Sequence, residues 1–422
     1  MKRFLLLIPL IAIVAEARDF TDIEGRTIDA KVLSVENDSV KLELSSDGAT
    51  YDVPLARLSA EDREFLKDWK PAEPEANPSP DDTSGGKDTS EKDLGRTINL
   101  GGTEALMKEY NLTNNYDDEW PKRIESGHSV EIKTVEEDEA KKRYVYHSPN
   151  YEFICDVPLS KNVLNKFSAL FEATREFCRI LPISTMKAHV PGEKFRNQIL
   201  LFETKQSYVK NGGPPTSAGV FMPRGNNGAG VVMAPLTSLG VKKVGSRYAF
   251  DYEGSNKTLP HEIAHQLTDP EYFESGPLGW FSEGLAEYIA VTSYRSGKFM
   301  VSGNLREIKA YATEFGEDGN GGRNLGEEFT APDLKGYMLQ PYSSFTANGN
   351  FNYGLGLLIT YYFFHWDGEG DRANITAFLK ALKEGKRGEE SLNVLLAGRT
   401  WDELEKAINK AWRSRGVKIN FK

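Results

Sequence analysis

Cysteine is scarce in this chain, with two thiols, Cys155 and Cys178, in 422 residues. Neither belongs to a Cys-x-x-Cys pair or a nucleophile pattern, which leaves thiol chemistry without a motif. Excess positive charge is also missing. Lys and Arg number 52 against 62 Asp and Glu, a net charge of −10. An acidic balance of that size argues against nucleic acid or an anionic membrane surface as the main partner. Long apolar runs are absent after the first fifteen residues, so no membrane span is expected in the body of the chain. No internal repeat is evident, and histidine occurs six times. What is present is ordinary for a globular protein: 39% apolar and 11% aromatic residues, enough for at least one sizeable core in a chain long enough for two domains.

The N-terminus carries Met1-Lys2-Arg3, an apolar run from Phe4 to Val14, and then Ala15-Glu16-Ala17. Basic, hydrophobic and small-residue parts in that order match a secretory signal, with cleavage expected after Ala17. The run is short for a membrane span and no cysteine follows it for a lipid anchor, so the reading is an exported protein, periplasmic or extracellular. A retained anchor is the alternative. In an oxidising compartment Cys155, in a strand-like segment, and Cys178, late in a helix-like one, could form a disulfide; two buried free thiols fit equally.

Residues 18–69 alternate in short strand-like runs, Thr27 to Leu33, Ser39 to Leu44 and Thr50 to Leu55, with turns at Asn37-Asp38 and Asp47-Gly48. Ser59 is a plausible N-cap for a helix reaching Leu66. The residues Phe20-Thr21-Asp22, Gly25-Arg26, Val53-Pro54-Leu55, Leu58-Ser59 and Asp62 resemble the pattern of the small SH3-like module related to the homology domain of yeast endocytic adaptors. The resemblance implies a small β barrel for binding or spacing, with no ligand specified. Residues 70–95 are Pro, Glu, Ser, Asp, Gly and Lys with almost nothing apolar, the composition of a flexible linker.

Residues 96–422 mix strand and helix signals. Tyr144 to His147, Tyr151 to Cys155 and Asn197 to Glu203 read as strands, and Gly219 to Met222 with Gly230 to Ala234 reads as a hairpin. Asn162 to Leu181 places Val163, Phe167, Leu170, Phe171 and Phe177 at helical spacing. Amphipathic helices are expected over Asn352 to Trp366, Ala373 to Lys383 and Thr400 to Arg413, after a Gly-rich acidic loop around Gly316 to Gly326. The fold class is therefore α+β, a mixed sheet joined to a helical part.

The chemistry concentrates in His261-Glu262-Ile263-Ala264-His265, followed by Glu283 within Trp280-Phe-Ser-Glu-Gly-Leu-Ala-Glu-Tyr288. On a helix, positions i and i+4 share a face, so His261 and His265 can hold one metal ion while Glu262 lies beside its open position. With Glu283 they form a two-His, one-carboxylate set that leaves a corner for water, the pattern of catalytic Zn2+. Glu262 is then the general base. Glu287, one turn beyond Glu283, is expected to accept the second ring N–H of His261, and Asp269, one turn past His265, to do the same for that ring. His128, His147 and His189 lack partner spacing and read as structural.

These two segments resemble the gluzincin metallopeptidases, and most closely their exported peptidase MA-like group, in which His-Glu-x-x-His-Gln-Leu precedes Trp-x-x-Glu-Gly-x-Ala-Glu-Tyr. Seventeen residues separate His265 from Glu283, slightly fewer than in aminopeptidase N relatives, so a tighter connection is expected. The resemblance implies an oxyanion-stabilising Tyr or His on a later helix, for which Tyr353, in Tyr-x-x-Gly, is the candidate and His365 the reserve. It also implies a substrate bound as an added strand on a sheet edge, for which Gly230 to Pro235 is the candidate. That segment has no Glu to grip a free α-amine, which tilts the expectation from aminopeptidase toward endopeptidase. The leading expectation is an exported zinc peptidase acting on peptides or proteins. Its rival is a cell-envelope binding or scaffold protein whose peptidase domain has lost turnover. A purely structural zinc is disfavoured because no fourth ligand is apparent.

Overall fold

Alternating side chains over the N-terminal segment produce the expected strands, in a computed structural model that describes residues 18–21, 27–36, 39–44, 50–67, 103–125, 130–215, 217–222, 230–245, 247–250, 257–272, 277–295, 297–314 and 322–422. The proposed signal and linker, His128 and residues 315–321 of the acidic loop lie outside these. The chain divides into two units between Leu94 and Gly95. In the first, β1 (Arg18–Thr21), β2 (Thr27–Glu36), β3 (Ser39–Leu44) and β4 (Thr50–Pro54) form an antiparallel sheet in sequence order. Phe20, Ala30, Val32, Val40 and Leu42 are buried with Leu58 and Leu66. Helix α1 (Ala60–Lys67) starts after Ser59, whose Oγ accepts from Asp62 N at 3.1 Å. Asp62 Oδ2 in turn accepts from Ser59 Oγ and from Thr21 N, both at 2.8 Å. Three residues of the sequence pattern thus fasten the helix to the first strand.

The second unit opens with α2 (Thr103–Tyr110) and the short β5 (Ile124–Glu125). Then come β6 (Lys133–Asp138), β7 (Arg143–His147), β8 (Tyr151–Cys155), α3 (Lys161–Ile180), β9 (Asn197–Phe202), α4 (Lys205–Lys210), β10 (Val220–Met222) and β11 (Val231–Pro235). Their sheet has the order β10-β11-β9-β8-β7-β6, with β8, β9 and β11 parallel and the rest antiparallel. Helix α3 is the crossover that two parallel neighbours require. Ser160 caps it through Val163 N at 3.4 Å. Its Phe167 and Phe171 pack edge-on against Phe153 of β8, each with ring centres 5.2 Å apart. Each such buried ring contributes about 1.5–3 kcal/mol. Cys155 and Cys178 are both buried and free. Burial pushes both thiols above their ordinary range, that of Cys178 to about 12.

After the minor pair β12 (Val241–Val244) and β13 (Arg247–Phe250), the chain becomes largely helical: α5 (Thr258–Leu267), α6 (Gly279–Val291), β14 (Tyr294–Arg295), β15 (Lys298–Phe299), α7 (Leu305–Thr313), β16 (Glu328–Ala331), α8 (Leu334–Leu339), α9 (Tyr342–Ala347), α10 (Gly349–His365), α11 (Ala373–Lys383), α12 (Gly388–Leu396), α13 (Trp401–Arg413) and β17 (Lys418–Phe421). The architecture is α+β. Helix α12 was not anticipated, and α10 is not amphipathic: every residue from Gly354 to Phe364 is buried, because α10 runs through the middle of the helical part. Glycines let it approach α6. A Cβ on Gly284 would fall 2.5 Å from the Gly356 carbonyl oxygen and 2.3 Å from Thr360 Oγ1. A bare backbone at 284 therefore sets the depth at which its neighbour, Glu283, is held. Among the described residues no helix is long and apolar enough to cross a membrane.

Candidate metal centre

Two short helices and the bends between them build the site. In α5, Pro260 sits in the first turn, where its missing N–H costs no helical hydrogen bond. His261 and His265 then lie one turn apart on one face. Helix α6 delivers Glu283, and the three side chains converge. His261 Nε2 lies 3.0 Å from His265 Nε2 and 3.1 Å from Glu283 Oε2, and His265 Nε2 lies 3.2 Å from Glu283 Oε2. Ligands of a tetrahedral ion bound at ~2.05 Å stand roughly 3.3 Å apart. The triangle therefore matches the span of one small cation. Among the described residues this is the one group of three or more such side chains able to hold a metal ion.

Electrostatics follow from burial and pairing. Burial alone would lower the His261 imidazole, but its hydrogen bonds to Glu283 and Glu287 outweigh that and raise it to about 10. Burial alone would raise the Glu283 carboxyl, yet the charge of His265 and hydrogen bonds from both imidazoles hold it well below the usual range. Glu287 behaves likewise, brought down to about 2 chiefly by Arg323 and then by His261. These carboxylates are ready to accept cationic partners without protonation.

The expected Glu287 contact is present, with Oε1 3.2 Å from His261 Nδ1. Asp269 is a correction. It does not serve His265: its oxygens accept from Thr103 Oγ1 at 3.2 Å, Met186 N at 2.7 Å, Lys187 N at 2.9 Å and Lys383 Nζ at 2.5 Å. One turn past His265 would share its face only if the helix continued. Helix α5 stops at Leu267, and Thr268 is extended with ψ 134°, which turns Asp269 away.

Glu262 is half-buried, and its Oε2 accepts from Phe221 N at 2.7 Å. Phe221 is the middle residue of β10, and β10, not β11, is the sheet edge. The expected edge at Gly230 to Pro235 lies between β10 and β9. The hairpin reading was sound, but a hairpin alone does not say which of its strands faces outward.

Tyr353 lies parallel to the His261 ring, with centres 6.0 Å apart and planes at 16°. Its other neighbours are Phe345, with ring centres 5.7 Å apart, and the Arg323 guanidinium, 5.0 Å from the ring centre. His365, the reserve, is another correction. It is twelve residues further along the same helix, about 18 Å. It packs against Trp120, Tyr288 and Tyr361, and burial lowers it to about 4. His147 pairs with Glu152 at 2.9 Å. His189 lies in the turn at Met186–His189, where burial lowers its imidazole.

Comparison with family models, curated proteins and solved structures returns no match to this chain. The site is made of these residues and their neighbours. Two of these were missed from sequence. Tyr342 donates to Glu283 Oε1 at 2.7 Å, the carboxylate oxygen other than the one that meets the imidazoles. Arg323 donates to Glu287 Oε1. A signal for Arg323 did exist, since it is the lone cation between Glu314 and Glu328 in an acidic, glycine-rich stretch.

Proposed function

We propose that this chain is an exported zinc-dependent peptidase of the gluzincin kind its motifs resemble, acting in the periplasm or outside the cell. The observation that carries the reading is the convergence of His261 Nε2, His265 Nε2 and Glu283 Oε2 at 3.0–3.2 Å spacing, with Glu262 on the same helix. Two imidazoles and one carboxylate are a zinc donor set, and three ligands leave one corner open. A carboxylate behind His261 and a phenol on Glu283 complete the orientation that such ligands need. When bound, zinc supplies a Lewis acid that polarises a water molecule and the scissile carbonyl.

The chain's own residues do the rest. Glu262 removes a proton from the attacking water as its oxygen bonds to the peptide carbon, and returns it to the amine as the C–N bond breaks. Burial, then the charges of Glu283 and Glu287, hold the Tyr353 phenol far above its ordinary range. It therefore stays protonated and able to donate to a developing oxyanion. The outward edge of β10, beside Glu262, is where an extended peptide would add as a strand, an arrangement tolerant of side-chain sequence and suited to internal cleavage.

The test is metal analysis with cleavage of a broad peptide library. The expected result is one zinc per chain and cleavage that a chelator removes and zinc restores; a metal-free protein, or a zinc-loaded one that leaves the library intact, would sink the reading. Within it, Tyr353→Phe is expected to keep its zinc and lose about 10²–10³-fold in kcat. Unchanged kcat in that variant would remove Tyr353 from the mechanism.

A further inference from the structure

We infer that Arg323 is a positioning residue for the metal centre, bracing Glu287 behind His261 and the Tyr353 ring alongside it with a single guanidinium. The inference rests on the proposed metal site and concerns a residue no motif includes.

Arg323 Nη2 and His261 Nδ1 converge on the same oxygen, Glu287 Oε1. The other oxygen, Oε2, is buried and has no hydrogen-bond partner. The orientation of this carboxylate is therefore set by the guanidinium on one side and the imidazole on the other. A carboxylate free to rotate would not hold the His261 ring, and a ring bound through Nε2 depends on what its Nδ1–H meets.

The guanidinium is itself held on several sides. It lies over the Tyr311 ring at 5.5 Å and over the Tyr353 ring at 5.0 Å. Its backbone is pinned to α7 by Arg323 N donating to Tyr311 O at 2.6 Å and Leu325 N to Ala312 O at 3.0 Å. Asn350 Nδ2, from α10, donates to Arg323 O at 2.7 Å. Helix α10 is bare where the arginine crosses it: a Cβ on Gly354 would lie 2.9 Å from Arg323 Cβ. Charge gives a second reason for a cation at this place. Glu262, Glu283 and Glu287 place three carboxylates around the centre, and a divalent ion together with one guanidinium balances them. A lysine could supply the charge but not the planar face that lies over two phenol rings.

The experiment is zinc affinity by chelator competition, in wild type, Arg323→Ala, Arg323→Lys, Glu287→Gln and the Arg323→Ala/Glu287→Gln double variant, with thermal unfolding of each in excess chelator. Arg323→Ala is expected to weaken zinc binding about 10–100-fold, Arg323→Lys less, and the double variant no more than Glu287→Gln alone, because both substitutions break one chain of contacts. At saturating zinc, the kcat lost in Arg323→Ala is expected not to add to that lost in Tyr353→Phe. A merely structural arginine would instead lower metal-free thermal stability and add to Glu287→Gln. Wild-type zinc affinity in Arg323→Ala, or full additivity, overturns the inference; if Arg323→Ala does not fold, wild-type affinity in Arg323→Lys together with additivity in an Arg323→Lys/Glu287→Gln pair does so. Absence of zinc from the wild-type protein overturns the proposed function instead.

Discussion

Glu262→Gln is expected to fold, to bind zinc with unchanged stoichiometry and to lose about 10²–10⁴-fold in kcat. The side chain is not one of the three that converge, and glutamine keeps its size while giving up the ability to take a proton. The amide oxygen can still accept from Phe221 N, so the 2.7 Å link to the sheet edge survives. Structure and metal are thereby separated from proton transfer. The loss should fall on kcat with KM little altered, since the interaction removed is one made in the transition state. Full turnover in a zinc-loaded variant would refute the assigned base. Turnover lost together with zinc would show that Glu262 holds the site instead of working in it.

The second large effect falls outside the site. Asp269 is fully buried and gathers two backbone N–H groups, the Thr103 hydroxyl and the Lys383 ammonium, tying together α2, the Met186–His189 turn and α11 just where α5 ends. Asp269→Ala leaves two buried backbone donors, Met186 N and Lys187 N, unanswered and takes the counter-charge from the mostly buried Lys383 ammonium, which keeps only Thr103 Oγ1 and the Ser184 carbonyl as acceptors. Breaking a buried pair from one side costs about 3–5 kcal/mol, a large part of the stability of most domains. Urea unfolding of the metal-free protein should show this loss, with Asp269→Asn recovering part of it because one oxygen still accepts. Zinc affinity, measured where the variant is fully folded, should remain that of wild type, because the Asp269 oxygens are taken up by Thr103, Met186, Lys187 and Lys383. A stable Asp269→Ala protein with weakened zinc binding would restore the role that spacing alone had suggested.

The contrast between Glu287 and Asp269 shows how far spacing carries. Both lie one helical turn from a residue of the candidate metal site in the sequence. Glu287 is placed as expected because α6 continues to Val291, beyond it. Asp269 is not, because α5 ends at Leu267, two residues short; the mark of that end in the sequence is Pro270, three residues beyond it, which disfavours helical backbone at Asp269, the residue before it. Tyr353 and His365 differ for a similar reason. A shared helix places them on one element, but about 18 Å of axis separates the start of that helix from its end.

What the sequence by itself determined is what local geometry writes: the helical pairing of His261 with His265, the later carboxylate, the main strands and α3, and the α+β class, all set by periodicities of two and 3.6 residues. Only the tertiary structure decided which hairpin strand is the sheet edge beside Glu262, that α10 is buried all round from Gly354 to Phe364, that Cys155 and Cys178 stay apart as free thiols, and that Tyr342 and Arg323 complete the centre. These depend on contacts between residues tens of positions apart, such as Arg323 with Glu287 and Tyr342 with Glu283. No repeat in one dimension encodes such pairings; they exist because packing against a common core brings separate helices to the same few cubic ångströms.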